Sequence, residues 1–516
     1  MSVAPRPASP GRSRRGDRAA PLLIAIDVGT TGARAAAVDL DGRVVAEERR
    51  PYPTHVPRPG WVEQDPRDWE ERAIEALARL ARRVRRSAAV AGIGLTGQCP
   101  TIAPFDGRGR AVGPGMLYRD NRAVAEAAAM RERIGVQELH RRTGHVAEAF
   151  HAGPKVLWLR THDRQAFRAA HCFLQPRDVV LRRLTGRVAT DQSHANATLF
   201  FDLRAGSWAP DLLAAFELDP ALFPEALAPW EVAGTLEPAV AAEVGLPAGV
   251  PVVAGAGDSQ CAAFGAGVVE PGPVSEMAGS SSCLNSAVTE PVPDLRVTHY
   301  RHVVPDRYTT ELGVNTTGAA VEWAVRRLGF GGFAELAGEA ERFRRQGRRG
   351  GRPDPVEMAP LFLPYLGDGE RDDPTVRAAL LGLSDRHDRP ALAWAVLEGV
   401  AQALRATLAP LRAAGPVLHL RVAGGGGRLA ILAQLKADTL GVPVTRLEAD
   451  TAAIGAALLA AGPAGLEPQA RKAIGAVVRR GRTVRPTAWW TEAAAARAAW
   501  FDQVRQEPAV HDWRGR

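Results

Sequence analysis

The chain has 516 residues, of which 46% are hydrophobic and 24% charged, a length that predicts two or three domains and excludes one small module. Its 52 glycines and 39 prolines are too few for a disordered or collagen-like chain. Half of the formal net charge of +8 lies in residues 1–20, which we expect to form a disordered basic tail that binds no nucleic acid.

The four cysteines are far apart and form no C-x-x-C pair, so neither a zinc site nor a disulfide scaffold is predicted. A reducing cytoplasm fits this pattern best. The longest nearly unbroken apolar stretch, residues 452–466, is shorter than the roughly 18 residues that a membrane span needs. We therefore expect no membrane partner.

The first elements of the chain follow from apolar runs, an Asp-Gly hairpin signal and helical spacing of apolar residues. They are strands over 22–26, 33–38 and 44–46, a helix over 66–86 and a strand over 88–95. A similar strand, turn and strand begins about 250 residues later, which suggests an internal duplication. Two α/β halves with a cleft between them are therefore predicted.

The second half continues with a helix predicted over 390–408, a strand over 417–422 and a helix that contains Ile431. Before it, the glycine-containing arginine cluster at 342–352 predicts a solvated loop.

The turn after the first strand carries the first candidate site. Residues 27–32 (Asp-Val-Gly-Thr-Thr-Gly) offer backbone N–H groups, hydroxyls and a carboxylate at one hairpin tip. Such a tip can bind phosphate oxygens through Gly29, Thr30 and Thr31 while Asp27 holds Mg²⁺. The alternative is an ordinary hairpin in which Asp27 caps its own turn.

A second hydroxyl-rich turn strengthens the phosphate-binding interpretation. Gly279, Ser280 and Ser281 connect two predicted strands of the duplicated half. Two such turns facing one cleft would clamp a triphosphate from both sides.

Asp258 directly follows an apolar strand. Residues 252–254 (Val-Val-Ala) lead into Gly-Ala-Gly-Asp, and α/β proteins place catalytic groups just past strand ends. Phosphorylation of a hydroxyl needs a base within hydrogen-bond reach, a role that suits this carboxylate. The alternative is a helix N-cap, because the residues from Ser259 onward predict a helix.

Two glycine-rich segments lead to opposite predictions. Residues 424–427 (Gly-Gly-Gly-Gly) lie between a predicted strand and a predicted helix, which suits close approach of a nucleotide to the backbone. Residues 92–97 spell G-x-G-x-x-G, but Pro100 and Pro104 prevent the helix that a dinucleotide-binding motif requires.

In this order the motifs resemble the FGGY family of carbohydrate kinases, most closely its xylulokinase-like branch. The likeness runs from about residue 22 to about residue 503. It rests on residues 27–34 (phosphate hairpin), 59–69, 155–159 (first signature), 257–267 (catalytic aspartate), 395–399 (second signature), 424–438 (adenosine-side motif) and 452–457.

The resemblance implies an α/β protein of two ribonuclease-H-like domains, of the actin and hexokinase ATPase type, flanking a cleft. It implies Asp258 as the general base, Asp27 as the Mg²⁺ ligand, and ATP as the phosphoryl donor. We expect the carboxylates of Asp27 and Asp258 to lie on opposite banks of the cleft.

The same resemblance assigns the binding residues. Phosphate is expected to bind Gly29, Thr30, Thr31, Arg34, Gly279, Ser280 and Ser281; the nucleotide Gly424, Gly425, Gly426 and Arg428; and the acceptor Gln98, Cys99, Pro100, Asp120, Arg122 and Asp258. We expect residues 21–271 to form the sugar-binding domain, residues 272–490 the ATP-binding domain, and residues 491–516 a C-terminal helix and tail.

The sequence departs from the family pattern where the acceptor should bind. Residues 98–100 are Gln-Cys-Pro where xylulokinases often show Gln-Met-His, so an imidazole that would hydrogen-bond a sugar hydroxyl is lost. Residues 118–122 are Tyr-Arg-Asp-Asn-Arg in place of Trp-x-Asp-x-Arg. Because a site built around one hydroxyl rejects analogues that lack it, D-xylulose cannot be assumed as the substrate.

These expectations describe a kinase of a pentulose or a related ketose or polyol. Two alternatives stay open: an actin-like nucleotide switch that needs no sugar, and a catalytically silent sugar- or nucleotide-binding protein on the same fold. The expected partner is a small sugar or polyol, and a homodimer is the assembly to be tested.

Overall fold

The computed structural model describes residues 20–84, 89–349, 358–367, 369–370 and 373–511. Apart from Ala20, the predicted basic tail lies outside the described residues. Within these ranges no helix is both long enough and apolar enough to cross a membrane.

The strands of the described residues are β1 (Leu22–Val28), β2 (Gly32–Val38), β3 (Val44–Pro51), β4 (Glu63–Gln64), β5 (Val90–Gly97), β6 (Ala103–Phe105), β7 (Gly115–Met116), β8 (Cys172–Leu174), β9 (Ala189–Asp191), β10 (Phe201–Asp202), β11 (Ser207–Trp208), β12 (Glu225–Leu227), β13 (Val232–Thr235), β14 (Pro251–Val253), β15 (Ala256–Gly257), β16 (Pro273–Ala278), β17 (Ser282–Val288), β18 (Thr298–Arg301), β19 (Tyr308–Val314), β20 (Leu361–Leu363), β21 (Ala379–Leu381), β22 (His419–Ala423), β23 (Val444–Arg446) and β24 (Arg482–Val484).

The α-helices are α1 (Pro66–Val84), α2 (Val124–Ile134), α3 (Val136–Thr143), α4 (Ala152–His162), α5 (Arg164–Ala169), α6 (Pro176–Thr185), α7 (Gln192–Asn196), α8 (Pro210–Ala215), α9 (Pro238–Val244), α10 (Asp258–Gly265), α11 (Gly318–Arg327), α12 (Phe333–Arg349), α13 (Arg389–Thr407), α14 (Ala409–Ala414), α15 (Ala430–Leu440), α16 (Thr451–Leu459), α17 (Glu467–Arg480) and α18 (Ala488–Arg505).

Two mixed seven-stranded sheets organise the chain. The first has the order β13-β14-β5-β1-β2-β3, with β15 also paired to β5, and the second has the order β18-β19-β17-β16-β22-β23-β24. In the first sheet β1, β2 and β3 are antiparallel, as the hairpin signal in the sequence predicts, and β1 runs parallel to β5. In the second sheet β16 pairs antiparallel with β17 and parallel with β22, which confirms the predicted repetition of the strand-turn-strand unit.

Apolar residues at helical spacing fix α1 against the first sheet. Trp69, Ala73, Leu77 and Leu80 are buried on one face of this helix and belong to the same hydrophobic cluster as Ile24 of β1. Burial of such a face is the main source of helix stability in a globular protein.

The two sheets are joined through α16, which lies between β23 and β24 of the second sheet in the chain and packs on the first sheet. One buried hydrophobic cluster contains Leu23 and Ala25 of β1 together with Ile454 and Ala457 of α16. This apolar contact holds the two halves of the chain together beneath the cleft.

Helices α10 and α16 cross at a glycine on each helix, Gly265 and Gly455. A Cβ atom on Gly455 would lie 1.9 Å from the carbonyl oxygen of Cys261, and one on Gly265 would lie 2.0 Å from that of Thr451. Because α10 begins at Asp258, this close crossing also fixes the position of the candidate base.

Gly455→Ala should lower the free energy of unfolding by about 1–3 kcal/mol, because the added methyl group meets backbone that cannot move aside alone. The matched control is Gly338→Ala in α12, where the new Cβ finds no atom within 4 Å and alanine should be neutral or stabilising by up to about 1 kcal/mol. Denaturant unfolding of both variants checks the prediction. Equal free energies of unfolding for the Gly455→Ala and Gly338→Ala variants would contradict the close approach of α10 and α16.

Candidate active site

Three parallel strands end at one edge of the first sheet. Asp27 of β1 and Ala256 of β15 both pair with Thr96 of β5, from opposite sides. The hairpin tip after β1 and Asp258 after β15 therefore leave the sheet at the same edge, where α/β proteins bind ligands. The expectation that the carboxylates of Asp27 and Asp258 lie on opposite banks is wrong, since both strands belong to the first sheet.

Asp27 does not cap its own turn. Its Oδ1 atom is buried and has no hydrogen-bond partner among the described residues, whereas Oδ1 of Asp39 accepts two backbone N–H bonds of the next turn, at 2.9 and 2.8 Å. Burial, together with the negative charges of Asp258 and Asp450, raises the pKa of Asp27 to about 7. An unpartnered carboxylate oxygen in negative surroundings fits a hard cation such as Mg²⁺.

Two side chains hydrogen-bond to the backbone at the tip of the first hairpin. The Tyr52 hydroxyl donates to the carbonyl of Gly29, and the Gln64 amide donates to the carbonyl of Thr30 at 2.7 Å. The Thr31 side chain is exposed and that of Thr30 is half-buried. The tip is therefore rigidly placed, and its threonines remain accessible to a phosphate.

Arg34 is not positioned as a free phosphate ligand. The side chain is buried and forms ion pairs with Glu47, at 2.6 Å, and with Asp450 of the second half. Asp450 also caps α16, because its Oδ1 accepts from the N–H of Ala453 at 3.1 Å. The structure thus corrects the expectation for Arg34, whose guanidinium is used to link the two halves.

Asp258 is the first residue of α10, and Gly257 occupies the N-cap position. Its Oδ1 accepts from the N–H of the adjacent Ser259 at 2.7 Å, so the carboxylate is not a helix cap of the usual kind. Burial raises the pKa of Asp258 to about 6; the Ser259 hydrogen bond and His194 lower it, and Glu311 raises it. Such a carboxylate is ionised at neutral pH but basic enough to accept a proton.

Of the three acceptor candidates at residues 98–100, only Cys99 is partly accessible. The amide nitrogen of Gln98 donates to the side chain of Gln64 at 2.9 Å, and its amide oxygen accepts from Thr101 at 3.2 Å. Pro100 is buried. The structure therefore corrects the expectation for Gln98 and Pro100, which support the first hairpin and its neighbouring loop, while burial keeps the pKa of the Cys99 thiol well above its ordinary value.

Asp120 and Arg122 are also engaged within the protein. Arg122 donates to Asp120 at 2.9 and 2.6 Å and to Glu63 at 2.6 Å, and Asp120 accepts from the N–H of Val62 at 2.7 Å. The guanidinium carbon of Arg122 lies 3.7 Å from the ring centroid of Trp61. These contacts occupy Asp120 and the Nε and Nη2 atoms of Arg122, so both side chains hold the 60–63 loop in place, and their binding of the acceptor stays a prediction.

Sequence reasoning missed a buried network beside Asp258. Nδ1 of His194 lies 2.5 Å from Asp191, which also pairs with Arg177 at 3.0 Å and accepts from the Ser193 hydroxyl at 2.5 Å. The Ser193 oxygen accepts in turn from the N–H of Gly257 at 2.9 Å. The sequence signal was the Asp-x-Ser-His run after a short apolar stretch, which a search for polar side chains at strand ends could have found.

Lys155 of the first signature supports the backbone around the candidate acceptor site. Its Nζ donates to the carbonyls of Leu117, Phe150 and Pro100 at 2.5, 2.7 and 3.4 Å. Burial lowers the pKa of Lys155 to about 7. This one side chain therefore ties together three loops around Cys99.

The hairpin tip at residues 279–281 and the glycine run at residues 424–427 follow two neighbouring strands of the second sheet. Met277 of β16 is paired with Ala423 of β22, so the tip at residues 279–281 lies beside residues 424–428. Gly424 has a φ of +90°, and a Cβ there would lie 2.7 Å from the carbonyl oxygen of Ala278. A cavity of about 830 Å³ opens here, lined by Gly279, Ser281, Gly424, Gly425, Arg428 and Asp450 among others.

A smaller cavity of about 340 Å³ lies behind the same tip, with Gly426, Val321, Leu429 and Leu432 in its lining. Its floor contains a buried ion pair that sequence reasoning missed: Lys436 Nζ lies 2.7 Å from both carboxylate oxygens of Glu276. An apolar slot with a few polar groups suits a planar base. The only signal in the sequence was the rarity of lysine, which occurs at three positions.

Two α/β halves whose glycine- and hydroxyl-rich tips face one cleft define a phosphotransferase of the actin-like ATPase fold. The N-terminal domain of the FGGY family of carbohydrate kinases matches residues 22–265, and its C-terminal domain matches residues 275–462. The chain belongs to the FGGY family of carbohydrate kinases. It is an ATP-dependent phosphotransferase with an alcohol group as acceptor.

Named relatives differ in their acceptors. A xylulose kinase from Bacillus subtilis is 30% identical over 455 residues, 85% of this chain and 87% of that protein. A glycerol kinase from Alkalilimnicola ehrlichii is 34% identical over 463 residues, 86% and 90% of the two chains. The crystal structure of xylulose kinase from Rhodospirillum rubrum superposes with a TM-score of 0.86 at 29% identity, covering 94% of this chain and 98% of that one.

Proposed function

We propose that this kinase phosphorylates a hydroxyl of a small ketose or polyol, a pentulose first of all, with Asp258 as the general base. One observation carries the proposal: Asp27, whose buried Oδ1 has no partner among the described residues, leaves the same edge of the first sheet as Asp258, close enough for Asp258 to raise the pKa of Asp27. A base and a cation site side by side match the needs of phosphoryl transfer to an alcohol.

In the proposed reaction Asp258 accepts the hydroxyl proton as the acceptor oxygen attacks the γ-phosphorus of ATP. The tips at residues 29–31 and 279–281 orient the phosphates, and Gly424, Gly425, Gly426 and Arg428 hold the nucleotide. Mg²⁺ bound at Asp27 would neutralise charge on the phosphates. Closure of the cleft would exclude water and so limit ATP hydrolysis.

The proposal also divides the work between two domains. We propose residues 21–271 as the sugar-binding domain and residues 272–490 as the ATP-binding domain, because the first sheet carries Asp258 and the second carries the glycine run. The homodimer stays a prediction, which light scattering would test.

Activity should fall about tenfold per pH unit below pH 6, since Asp258 must be ionised to accept a proton and its pKa is about 6. Glu311 raises this pKa and His194 lowers it, and Asp258 also interacts electrostatically with Asp27. Values of kcat/KM from initial rates between pH 5 and 8 check the prediction. Enzyme returned from each pH to pH 7 should recover its activity, which controls for acid unfolding. A profile that is flat down to pH 5 would contradict the assignment of Asp258.

A coupled ADP-release screen tests the proposed function. Pentuloses, hexuloses, tetritols, pentitols, glycerol and gluconate are offered with Mg²⁺ and ATP, and we expect ADP release to depend on at least one ketose or polyol. ATP turnover that is independent of any added acceptor would indicate a nucleotide switch instead. Binding without turnover would indicate a catalytically silent protein.

A further inference from the structure

The backbone that leads to the candidate base bends between two strands. Both β14 and β15 pair with β5, while residues 254 and 255 between them belong to neither strand. Gly255 has a φ of +76°, and a Cβ atom there would lie 1.8 Å from the carbonyl oxygen of Leu95. Since strand pairing is interrupted at this bend, groups outside the sheet must fix the direction in which the chain reaches Asp258.

Two side chains hold the backbone on the two sides of the bend. The guanidinium of Arg177 donates to the carbonyl of Ala254, and the hydroxyl oxygen of Ser193 accepts from the N–H of Gly257 at 2.9 Å. Both side chains are buried. Because Gly257 directly precedes Asp258, the second of these bonds acts on the backbone next to the candidate base.

Asp191 orients both of these side chains. Its Oδ1 accepts from the Ser193 hydroxyl at 2.5 Å, and its Oδ2 lies 3.0 Å from the guanidinium of Arg177. Oδ2 also lies 2.5 Å from Nδ1 of His194. The hydroxyl hydrogen of Ser193 is therefore directed at Asp191, which leaves the oxygen of Ser193 free to accept from Gly257.

Capping of α7 accounts for only part of this network. Asp191 precedes α7, and its Oδ1 accepts from the N–H of Ser193 at 2.8 Å, as an N-cap side chain does. An N-cap needs no bond between the first turn of its helix and the backbone of Gly257. That bond connects α7 to the residue just before Asp258, so capping alone does not explain it.

We infer that Ser193 is a positioning residue for the phosphoryl transfer. By holding the N–H of Gly257, it sets the direction in which the Asp258 carboxylate meets the acceptor hydroxyl. Ser193 is buried and acts through the backbone, not by touching the reacting atoms. Misplacement of a reacting group by about 1 Å can cost about 10²-fold in rate. The inference rests on the proposed function and adds to it the group that aims the base.

Ser193→Ala removes the oxygen that accepts from Gly257 and leaves the ion pair of Asp191 in place. We expect kcat to fall about 10- to 100-fold, because the base is no longer held in its productive direction. The KM for ATP should change little, since the proposed nucleotide residues belong to the second sheet and its loops. Steady-state kinetics with the acceptor found in the screen measure both constants.

Ser286→Ala is the matched control, since Ser286 is also a buried serine, on β17, and its hydroxyl donates to the carbonyl of Pro273 at 3.3 Å. This variant should keep the kcat of the wild type. Hydrogen exchange of the peptide that spans residues 252–260 provides a readout without turnover. Exchange should be faster in Ser193→Ala, because the N–H of Gly257 loses its partner, and unchanged in Ser286→Ala.

A double-mutant cycle with Asp258→Asn separates positioning of the base from a general loss of stability. Once asparagine has replaced the base, Ser193→Ala should lower kcat no further, because no base remains to be aimed. A residue that only stabilised the fold would lower kcat by the same factor in both backgrounds.

Unchanged kcat or unchanged exchange in Ser193→Ala, or the same loss of kcat in both backgrounds, would overturn the inference and leave the kinase activity standing. An unchanged kcat in Asp258→Asn would overturn the proposed base and the inference with it. If the wild type released no ADP in response to any acceptor of the screen, the proposed function and the inference would both be overturned.

Discussion

Asp258→Asn is expected to lower kcat by about 10²–10⁴-fold, the usual contribution of a positioned general base. Asparagine retains the shape of the side chain and an oxygen that can accept from the N–H of Ser259, so α10 should keep its position. It cannot accept the hydroxyl proton. Steady-state kinetics with the acceptor found in the screen measure the loss.

The affinity for ADP should change little in Asp258→Asn, because the proposed nucleotide residues lie on the second sheet and its loops. Asp385→Asn is the matched control, since Asp385 is exposed and far along the chain from the first sheet. An Asp258→Asn enzyme with unchanged kcat would contradict the role of Asp258 as the base.

Asp27→Asn should reduce activity by about 10²–10³-fold, the range seen when one preorganised electrostatic group is removed from a transition state. The buried Oδ1 of Asp27 has no partner among the described residues, so loss of its charge should weaken the cation site directly. Binding of Mn²⁺, followed by electron paramagnetic resonance, provides a readout that does not depend on turnover.

Asp39→Asn is the control for Asp27→Asn, because Asp39 stands at the next hairpin and caps its own turn. This variant should keep the activity and the Mn²⁺ affinity of the wild type. If Asp27→Asn also kept both, the cation site at Asp27 would be ruled out.

Local signals predicted much of the framework. Apolar runs separated by turn residues gave the first three strands, and the observed β1, β2 and β3 pair antiparallel. Pro66 and the buried Trp69 marked α1, which is described as far as Val84; the predicted last turn to residue 86 lies outside the described residues. These features depend on neighbours in the sequence, which is why a single chain suffices to predict them.

Partners that are distant in sequence could not be predicted. Arg34 was expected to bind phosphate, but its partner Asp450 lies 416 residues away. Asp120 and Arg122 were expected to bind the acceptor, and the structure also shows them paired with each other and with the 60–63 loop. A motif identifies a polar side chain, but only tertiary structure decides whether its hydrogen bonds are already made.

The sequence alone also did not show whether a glycine serves ligand binding, helix packing or a loop. The G-x-G-x-x-G run at 92–97 is no dinucleotide site; a Cβ on Gly94 would lie 1.8 Å from the carbonyl oxygen of Ala456, so its glycine serves helix packing. The predicted solvated loop at 342–352 is wrong as far as Arg349, because α12 extends that far, and residues 350–352 lie outside the described residues. Here Arg344 pairs with Asp438, a tertiary contact that helps to keep the glycine-containing segment helical.

The most direct test of the account is a crystal structure of the protein with Mg²⁺, ADP and the acceptor identified by the screen. We expect one acceptor hydroxyl about 2.6–3.2 Å from the Asp258 carboxylate, with the cation beside Asp27 and the diphosphate between the tips at residues 29–31 and 279–281. An acceptor bound elsewhere, or a hydroxyl directed away from Asp258, would contradict the proposed mechanism.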